Sequence, residues 1–564
     1  MNNLSARNKK RSLLDILCDN KTITAEQASA IQMLLGQGGK SEIEILTEKG
    51  VPEEKIAEAI SEKNDIPYVV LSGMPIDSDV LGLIDANILK KHGVMPFGIN
   101  EGKKTLLLAV SDPMNIVAID DISVLTRMHV EPSVATRSDI MSTIDKYFGN
   151  AEAQNAAEAY TKERQKLLVT DSTGEVDVVN SPIVLLVNTM IEQAARQRAS
   201  DIHVEALEDI VRVRYRIDGE LYNKMKYASQ LSSAIIARIK IISGMDISEK
   251  RKPQDGRITY VVDRKEYDIR VSTLPTVYGE KCVMRLAVKK NLLRDKRTLG
   301  FNDDEMEKFN HILENPNGIV LVTGPTGSGK STTLYTALAE LNKEGVNIIT
   351  VEDPVEANID GINQVQVNPK AELTFASALR SILRQDPDII MIGEIRDSET
   401  ALIATQASIT GHLVVSTVHT NSSANTVTRL MDMGVDSYLI ADSVVGIIAQ
   451  RLVRRLCPHC KKAVKATPTQ LEYMGYGNER DMTIYEPVGC DRCNKTGYHG
   501  RIGVYEIMEI TPQLKSLISR RATANELKDE AVRGGMSTLR MSASRLVKEG
   551  ITTYKEILSV SFEQ

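Results

Sequence analysis

The stretch GPTGSGKST, Gly324 to Thr332, follows the apolar run Gly318-Ile-Val-Leu-Val-Thr323 and leads into a helical pattern that begins at Ser331 and ends near Gly345. Strand, glycine-rich turn and helix, in that order, form a phosphate-binding loop. The glycines let the backbone curl until successive N–H groups point inward at a polyphosphate, and the helix that follows presents its positive end there. The candidate nucleotide-binding set is therefore Gly324, Pro325, Thr326, Gly327, Ser328, Gly329, Lys330, Ser331 and Thr332. Lys330 has the reach to meet the β- and γ-phosphates of a nucleoside triphosphate, and the Ser331 hydroxyl suits Mg²⁺.

At 564 residues the chain exceeds one core, so several domains are expected. No apolar run approaches the roughly 20 residues that cross a bilayer, and the start MNNLSARNKKRS lacks the apolar core of a secretory signal. A cytoplasmic protein is expected, touching a membrane only through partners. The net charge of -6 argues against nucleic acid as the main partner.

Along the chain, SLLDILCDNKTITAEQASAIQ from Ser12 and SEIEILTEKGVPEEKIAEAIS from Ser41 repeat at an offset of 29, each reading as helix, turn, helix. They make residues 1–65 a paired-helix module. Residues 66–148 read as an α+β unit, with IPYVVL and KTLLLAV as strands. Residues 149–176, rich in Ala, Glu, Gln and Lys, read as a connector.

Residues 177–295 form a second α+β unit. IVRVRYRI alternates apolar and charged positions, Asp218-Gly219 makes a hairpin turn, and GRITYVV–DRK–EYDIRVS is a second hairpin. Arg212, Arg214, Arg216, Arg257 and Arg270 fall on the face opposite the apolar positions. Residues 296–456 carry the phosphate loop and three further apolar strands, each ending in polar groups: Glu352, Glu394, and LVVST running into His419. This pattern is α/β, a parallel sheet with its site along one edge. Residues 496–564 read as a helical region.

Phosphoryl transfer to water needs Mg²⁺, a positioned water and positive charge near the developing oxyanions. Glu394 is the candidate for organising Mg²⁺ and water, and Glu352 for orienting or deprotonating the water. Gly393 stands where many such strands carry Asp. His412 and His419 bracket the third strand as candidate γ-phosphate sensors, while His203, in ASDIHVE, reads as a helix-start or interdomain residue. Cys457-Pro-His-Cys460 and Cys490-Asp-Arg-Cys493 are two CxxC knuckles separated by 29 residues. Four thiolates close a tetrahedral structural Zn²⁺ site, which makes residues 457–495 a zinc module with His459 a bystander.

From Ser181 to the C-terminus the chain resembles the type II secretion and type IV pilus assembly ATPases. SDIHVE, RKPQDGRI, DIRVSTLPTVYGEK, GPTGSGKSTT, TVEDPVE, LRQDPDIIMIGEIRD, GHLVVSTVHTN, AQRLVRRLC and the paired CxxC carry the resemblance. It implies a RecA-like P-loop ATPase core with α+β upstream domains, a zinc-binding insertion and a helical C-terminus. It also implies a homohexamer whose sites are completed by arginines of the upstream domain, here Arg257 and Arg270. The partners implied are an inner-membrane platform protein and the cytoplasmic assembly proteins of a pilus or pseudopilus. A retraction or DNA-transfer ring ATPase, and a weakly hydrolysing scaffold, are the alternatives. The paired helices resemble a module that binds cyclic di-GMP through Arg-Leu-Gly starts. Here those starts read Ser12-Leu-Leu and Ser41-Glu-Ile, so cyclic di-GMP is not expected.

Overall fold

The computed structural model describes residues 11–36, 41–100, 102, 104–149, 182–288, 296–479 and 481–561. The chain divides into two compact units, Met1–Val288 and Lys289–Gln564. From residue 150 on, the connector expected at 149–176 lies outside the described residues.

In the first unit the sequence repeat becomes the helices Leu13–Asp19, Ala25–Gly36, Glu42–Glu48 and Glu53–Asn64. Ser12 and Ser41 open corresponding helices with the same capping box. Each serine hydroxyl accepts the N–H three residues on, while Asp15 or Glu44 accepts the N–H of the serine. Leu17 and Leu46, equivalent by the repeat, share one core.

The strands β1 (Val94–Asn100), β2 (Thr105–Val110) and β3 (His129–Val134) follow, β1 antiparallel and β3 parallel to β2. IPYVVL is not a strand of this sheet. Tyr68 makes one isolated bridge to Val134, and Pro67, lacking an N–H, offers Val134 only its carbonyl.

The rest of this unit is a sheet of β4 (Ala199–Ala206), β5 (Ile210–Ile217), β6 (Glu220–Ala228), β7 (Gln254–Val262), β8 (Lys265–Thr276) and β9 (Gly279–Val288). Its order is β6-β5-β4-β9-β8-β7. The helices Pro182–Arg196 and Ser232–Ser243 cover one face, burying Val211, Val213, Tyr215 and Ile217 of β5. The arginines are left on the other. The Asp218-Gly219 and Asp263-Arg264 turns have positive φ at both residues, as the type I′ hairpin turn requires. His203 is in mid-strand on β4, paired with Arg214, and not at a helix start.

The second unit is built on β10 (Gly318–Thr323), β11 (Ile348–Glu352), β12 (Asn363–Gln366), β13 (Ile389–Ile392), β14 (Leu413–Val418), β15 (Val444–Leu456) and β18 (Tyr498–Glu509). The order is β12-β11-β13-β14-β10-β15-β18, parallel throughout except for β18 against β15. Strands β10, β13 and β14 are buried along their whole length. Ile319 and Leu321 enter the core on one face, Val320 and Val322 the core on the other. Covered on both sides, such strands show no apolar alternation.

Residues 496–564 are not helical throughout. They begin with β18, a 12-residue strand of the central sheet, and only then run into the helices Pro512–Ser519, Ala524–Arg533, Leu539–Lys548 and Tyr554–Ser561. The cysteine segment lies between β15 and β18 and contains its own hairpin, β16 (Lys462–Lys465) with β17 (Thr483–Glu486).

Candidate functional site

The phosphate loop leaves the C-terminal end of β10 and enters the Lys330–Leu341 helix. Gly324, Gly327 and Gly329 have φ of +149°, +82° and +91°. A Cβ at Gly324 would stand 2.4 Å from the Gln450 carbonyl, and one at Gly329 2.9 Å from Gln450 Nε2. Gln450, on β15 and 2% exposed, therefore forms the floor of the loop, and it also accepts from Thr333 Oγ1 at 2.8 Å.

The loop has the features a phosphate needs. Ser328 Oγ is buried without a partner. Lys330 is folded back so that Nζ donates to the carbonyls of Gly324 at 2.8 Å and Pro325 at 3.2 Å. Burial brings the Lys330 ammonium down to about 8, Arg451 pushing the same way and the Glu394 carboxylate opposing. A buried cation hydrogen-bonded to two carbonyls stands to gain from a polyphosphate, and Ser331 is exposed at the start of the helix.

Glu394 follows β13 on the same sheet edge. Its carboxylate, 12% exposed, meets Arg396 at 2.5 Å and His419 Nε2 at 3.4 Å. Burial lowers the pKa of His419, Lys330 lowers it further and Glu394 opposes, so the ring is neutral at pH 7. Thr323 and Thr420 stitch β10 to the segment carrying His419. Thr323 Oγ1 accepts the Thr420 N–H at 2.9 Å and lies 2.6 Å from its hydroxyl. Lys330, Glu394 and His419 thus share one edge.

His412 does not join them. It precedes β14 while His419 follows it, so the two lie roughly 20 Å apart at opposite ends of the strand. Its Nδ1 is 2.9 Å from the Ala407 carbonyl, an end-of-helix contact. Glu352 reaches the right edge, but its carboxylate is 3% exposed and committed elsewhere. Tyr335 OH, Thr350 Oγ1 at 2.6 Å and Gln364 Nε2 at 3.1 Å all donate to it. Two of these donors share Oε1, while Oε2 receives Tyr335 alone. Through the Tyr335 hydroxyl, Glu352 is tied to the phosphate-loop helix. Gly393 has a steric reason, since a Cβ there would stand 3.3 Å from Glu352 Cα.

In the first unit Arg257 and Arg270 are directly paired across β7 and β8. The register extends into one row, Arg216–Asp201–Arg285–Arg270–Arg257, across β5, β4, β9, β8 and β7. Buried acids hold it: Asp268 takes the Arg257 guanidinium through both oxygens, and Asp201 meets Arg285 at 3.2 Å.

The four cysteines converge. Their sulfurs all lie within 4.8 Å of one another, with Cys457–Cys490, Cys460–Cys493 and Cys490–Cys493 at 3.8, 3.9 and 3.8 Å. A tetrahedron with metal–sulfur bonds of about 2.3 Å has edges of about 3.8 Å, so the set fits Zn²⁺. The same spacing is far too long for disulfides of about 2.05 Å. Backbone N–H groups of Cys490 and Gly497 donate to Cys493 Sγ at 3.2 Å each. His459 instead contacts Arg492. Arg454, which the sequence places near the cluster, is spent on Glu556 at 2.7 Å.

The spacing of residues in the sequence carries no sign of Gln450, Thr323, Thr420 or Arg396. Only AQRL, already marked as a family motif, points toward Gln450 and its neighbour Arg451.

The family model described as Type II/IV secretion system protein matches residues 177–559, and the MshEN domain model matches 64–154. The second match covers the α+β unit, after most of the paired helices. The type IV pilus assembly ATPase PilB of Myxococcus xanthus is 45% identical over 90% of this chain and 91% of its own length. PilB of Pseudomonas aeruginosa is 41% identical over 97% and 96%. The type II secretion system protein E of Xanthomonas campestris is 39% identical over 99% and 100%. Among solved structures, the ATPase DotB of Yersinia pseudotuberculosis aligns with a TM-score of 0.50 at 22% identity, over 67% of this chain and 94% of DotB. That likeness speaks for the fold. The match across the whole nucleotide-binding unit and the full-length relatives agree: this chain belongs to the type II/IV secretion system protein family.

Proposed function

We propose that the chain is an ATP hydrolase that works as a homohexameric motor, driving assembly of a type IV pilus or a type II secretion pseudopilus through an inner-membrane platform protein. The observation that carries this is the edge where Lys330, Glu394 and His419 meet beside an orphaned Ser328 hydroxyl. ATP seats on the loop N–H groups, and Lys330 exchanges the Gly324 and Pro325 carbonyls for phosphate oxygens. Ser331 and Glu394 would hold Mg²⁺, which would supply charge neutralisation on the polyphosphate. Glu394 also orients the attacking water, and neutral His419 donates toward the γ-phosphate. Arg257 and Arg270, donated by the upstream domain, stabilise the charge that develops there.

Cys457, Cys460, Cys490 and Cys493 hold a structural Zn²⁺ that ties the segment between β15 and β18. No helix among the described residues is long and apolar enough to cross a membrane, which fits a cytoplasmic motor that meets the inner membrane through partners. The starts Ser12-Leu-Leu and Ser41-Glu-Ile speak against cyclic di-GMP, while the MshEN domain match speaks for it. The MshEN match at 64–154 makes a direct calorimetric titration the right check on that point. Gly393, the one sequence support for a weakly hydrolysing scaffold, also has a steric reading, since a Cβ there would stand 3.3 Å from Glu352 Cα.

The decisive experiment is a phosphate-release assay on zinc-loaded hexamer with Mg²⁺-ATP. Steady turnover that disappears in Glu394→Gln supports the motor. Tight ATP binding without turnover in the native chain would return the reading to a scaffold.

A further inference from the structure

The arginine row ends on the β7–β8 hairpin, whose outer strand lies at the edge of the sheet. Strand β7 is the edge strand and pairs only with β8. Its turn, Asp263-Arg264, places two non-glycine residues at φ +47° and +65°, where an L-residue is strained. About 20 Å of extended chain separates this turn from Arg257 and Arg270, so a tilt at the turn is a displacement at the arginines.

The turn is gripped from outside the sheet. Arg196, the last residue of the Pro182–Arg196 helix, donates from Nε to Asp263 Oδ2 at 2.9 Å and from Nη2 to Oδ1 at 3.2 Å. Through Nη1 it also binds Asp145, at the end of the Arg137–Ile144 helix in the N-terminal α+β part of the same unit. Arg196 and Asp145 are 8% and 7% exposed, and Lys90 lies 3.7 Å from the other Asp145 oxygen. The same helix meets the hairpin again where Tyr260 OH donates to Glu192 at 3.4 Å. Arg264 itself reaches Glu44 of the paired helices at 3.1 Å. A guanidinium that is bidentate to one carboxylate and bonded to a second is a directional joint, and removing a partner leaves the mostly buried Arg196 charge less compensated.

We propose that Arg196 is a positioning residue: with Asp145 and Asp263 it clamps the β7–β8 hairpin to the N-terminal part of the chain and so sets where Arg257 and Arg270 stand. A partner that moves the N-terminal part thereby has a mechanical route to the arginines. The catalytic consequence rests on the arginine donation proposed above; the clamp itself does not.

The test uses full-length protein carrying Asp145→Asn, Asp145→Glu or Arg196→Met, followed by hydrogen exchange and ATP turnover. Asp145→Asn keeps the shape of the side chain and sits on the distant partner, so it reports on the clamp even where Arg196→Met fails to fold. Faster exchange confined to residues 254–276 is expected, with protection of the Lys330–Leu341 helix and nucleotide stoichiometry unchanged. Turnover should fall by about tenfold through kcat, the size of effect that a small misplacement of a charge produces, and Asp145→Glu should restore it. Unchanged exchange across 254–276 in Asp145→Asn overturns the clamp. Should Arg257→Ala and Arg270→Ala both turn over at the native rate, the arginine donation fails, and the exchange pattern alone then decides for or against the clamp.

Discussion

At the scale of single residues, the site separates two carboxylates that sequence position alone leaves equivalent. Glu352 and Glu394 both end apolar strands on the same edge. One is locked to Tyr335, Thr350 and Gln364; the other faces Lys330 and His419. Glu394→Gln should therefore cut kcat by roughly a hundredfold or more while nucleotide still binds. Glu352→Gln should instead cost about 1–3 kcal/mol of stability, with kcat changed only a few-fold. Paired thermal melts and steady-state kinetics read both, and a folded Glu352→Gln enzyme without turnover would restore Glu352 as the base.

Lys330 adds a pH dependence. Burial brings its pKa to about 8 in the free loop, and bound phosphate raises it again, so nucleotide binding takes up a proton above pH 8. Affinity for Mg²⁺-ATP should hold below that pH and weaken as pH rises through it, by up to about tenfold per unit. Calorimetry in buffers of different ionisation enthalpy would show the uptake directly, and a flat profile between pH 7 and 9.5 would rule it out.

At the scale of elements, what could be read from the chain depended on whether the signal was local. The phosphate loop, the helix–turn–helix repeats from Ser12 and Ser41, the alternation in β5 and the cysteine spacing are local, and each corresponds to the structure. Strand β18 was illegible because helices and neighbouring strands bury Val504 to Met508 without a break, which erases period 2. The misplacement of His412 was avoidable, since residues on either side of a six-residue strand cannot share its edge. The donors to Glu352 were not legible, because they come from three different elements.

The cysteine cluster makes a prediction at this scale. Purified protein should contain one Zn²⁺ per chain. Chelation, or Cys460→Ser, should speed exchange in residues 457–500 and lower the melting temperature while β10 to β14 stay protected. A cluster that holds no metal, or whose emptying leaves 457–500 equally protected, would remove the structural role of zinc.

At the scale of the whole molecule, the phosphate loop and the arginine row belong to different compact units of the chain. If hydrolysis needs both, the assembly must say which copy supplies the arginines, and two inactive proteins can answer. Lys330→Ala has intact arginines and a dead loop; Arg257→Ala with Arg270→Ala has an intact loop and no arginines. In a mixed ring with donation between neighbours, about a quarter of the interfaces pair an intact loop with intact arginines. Mixing should therefore recover up to about a quarter of native turnover from two preparations that are each silent, provided the rings are dissociated and reassembled together. Donation within one chain predicts no recovery at any mixing ratio, because no copy carries both halves. Recovery would also make turnover depend on protein concentration, falling as rings dissociate on dilution, while nucleotide binding by the loop would persist in the separated chains.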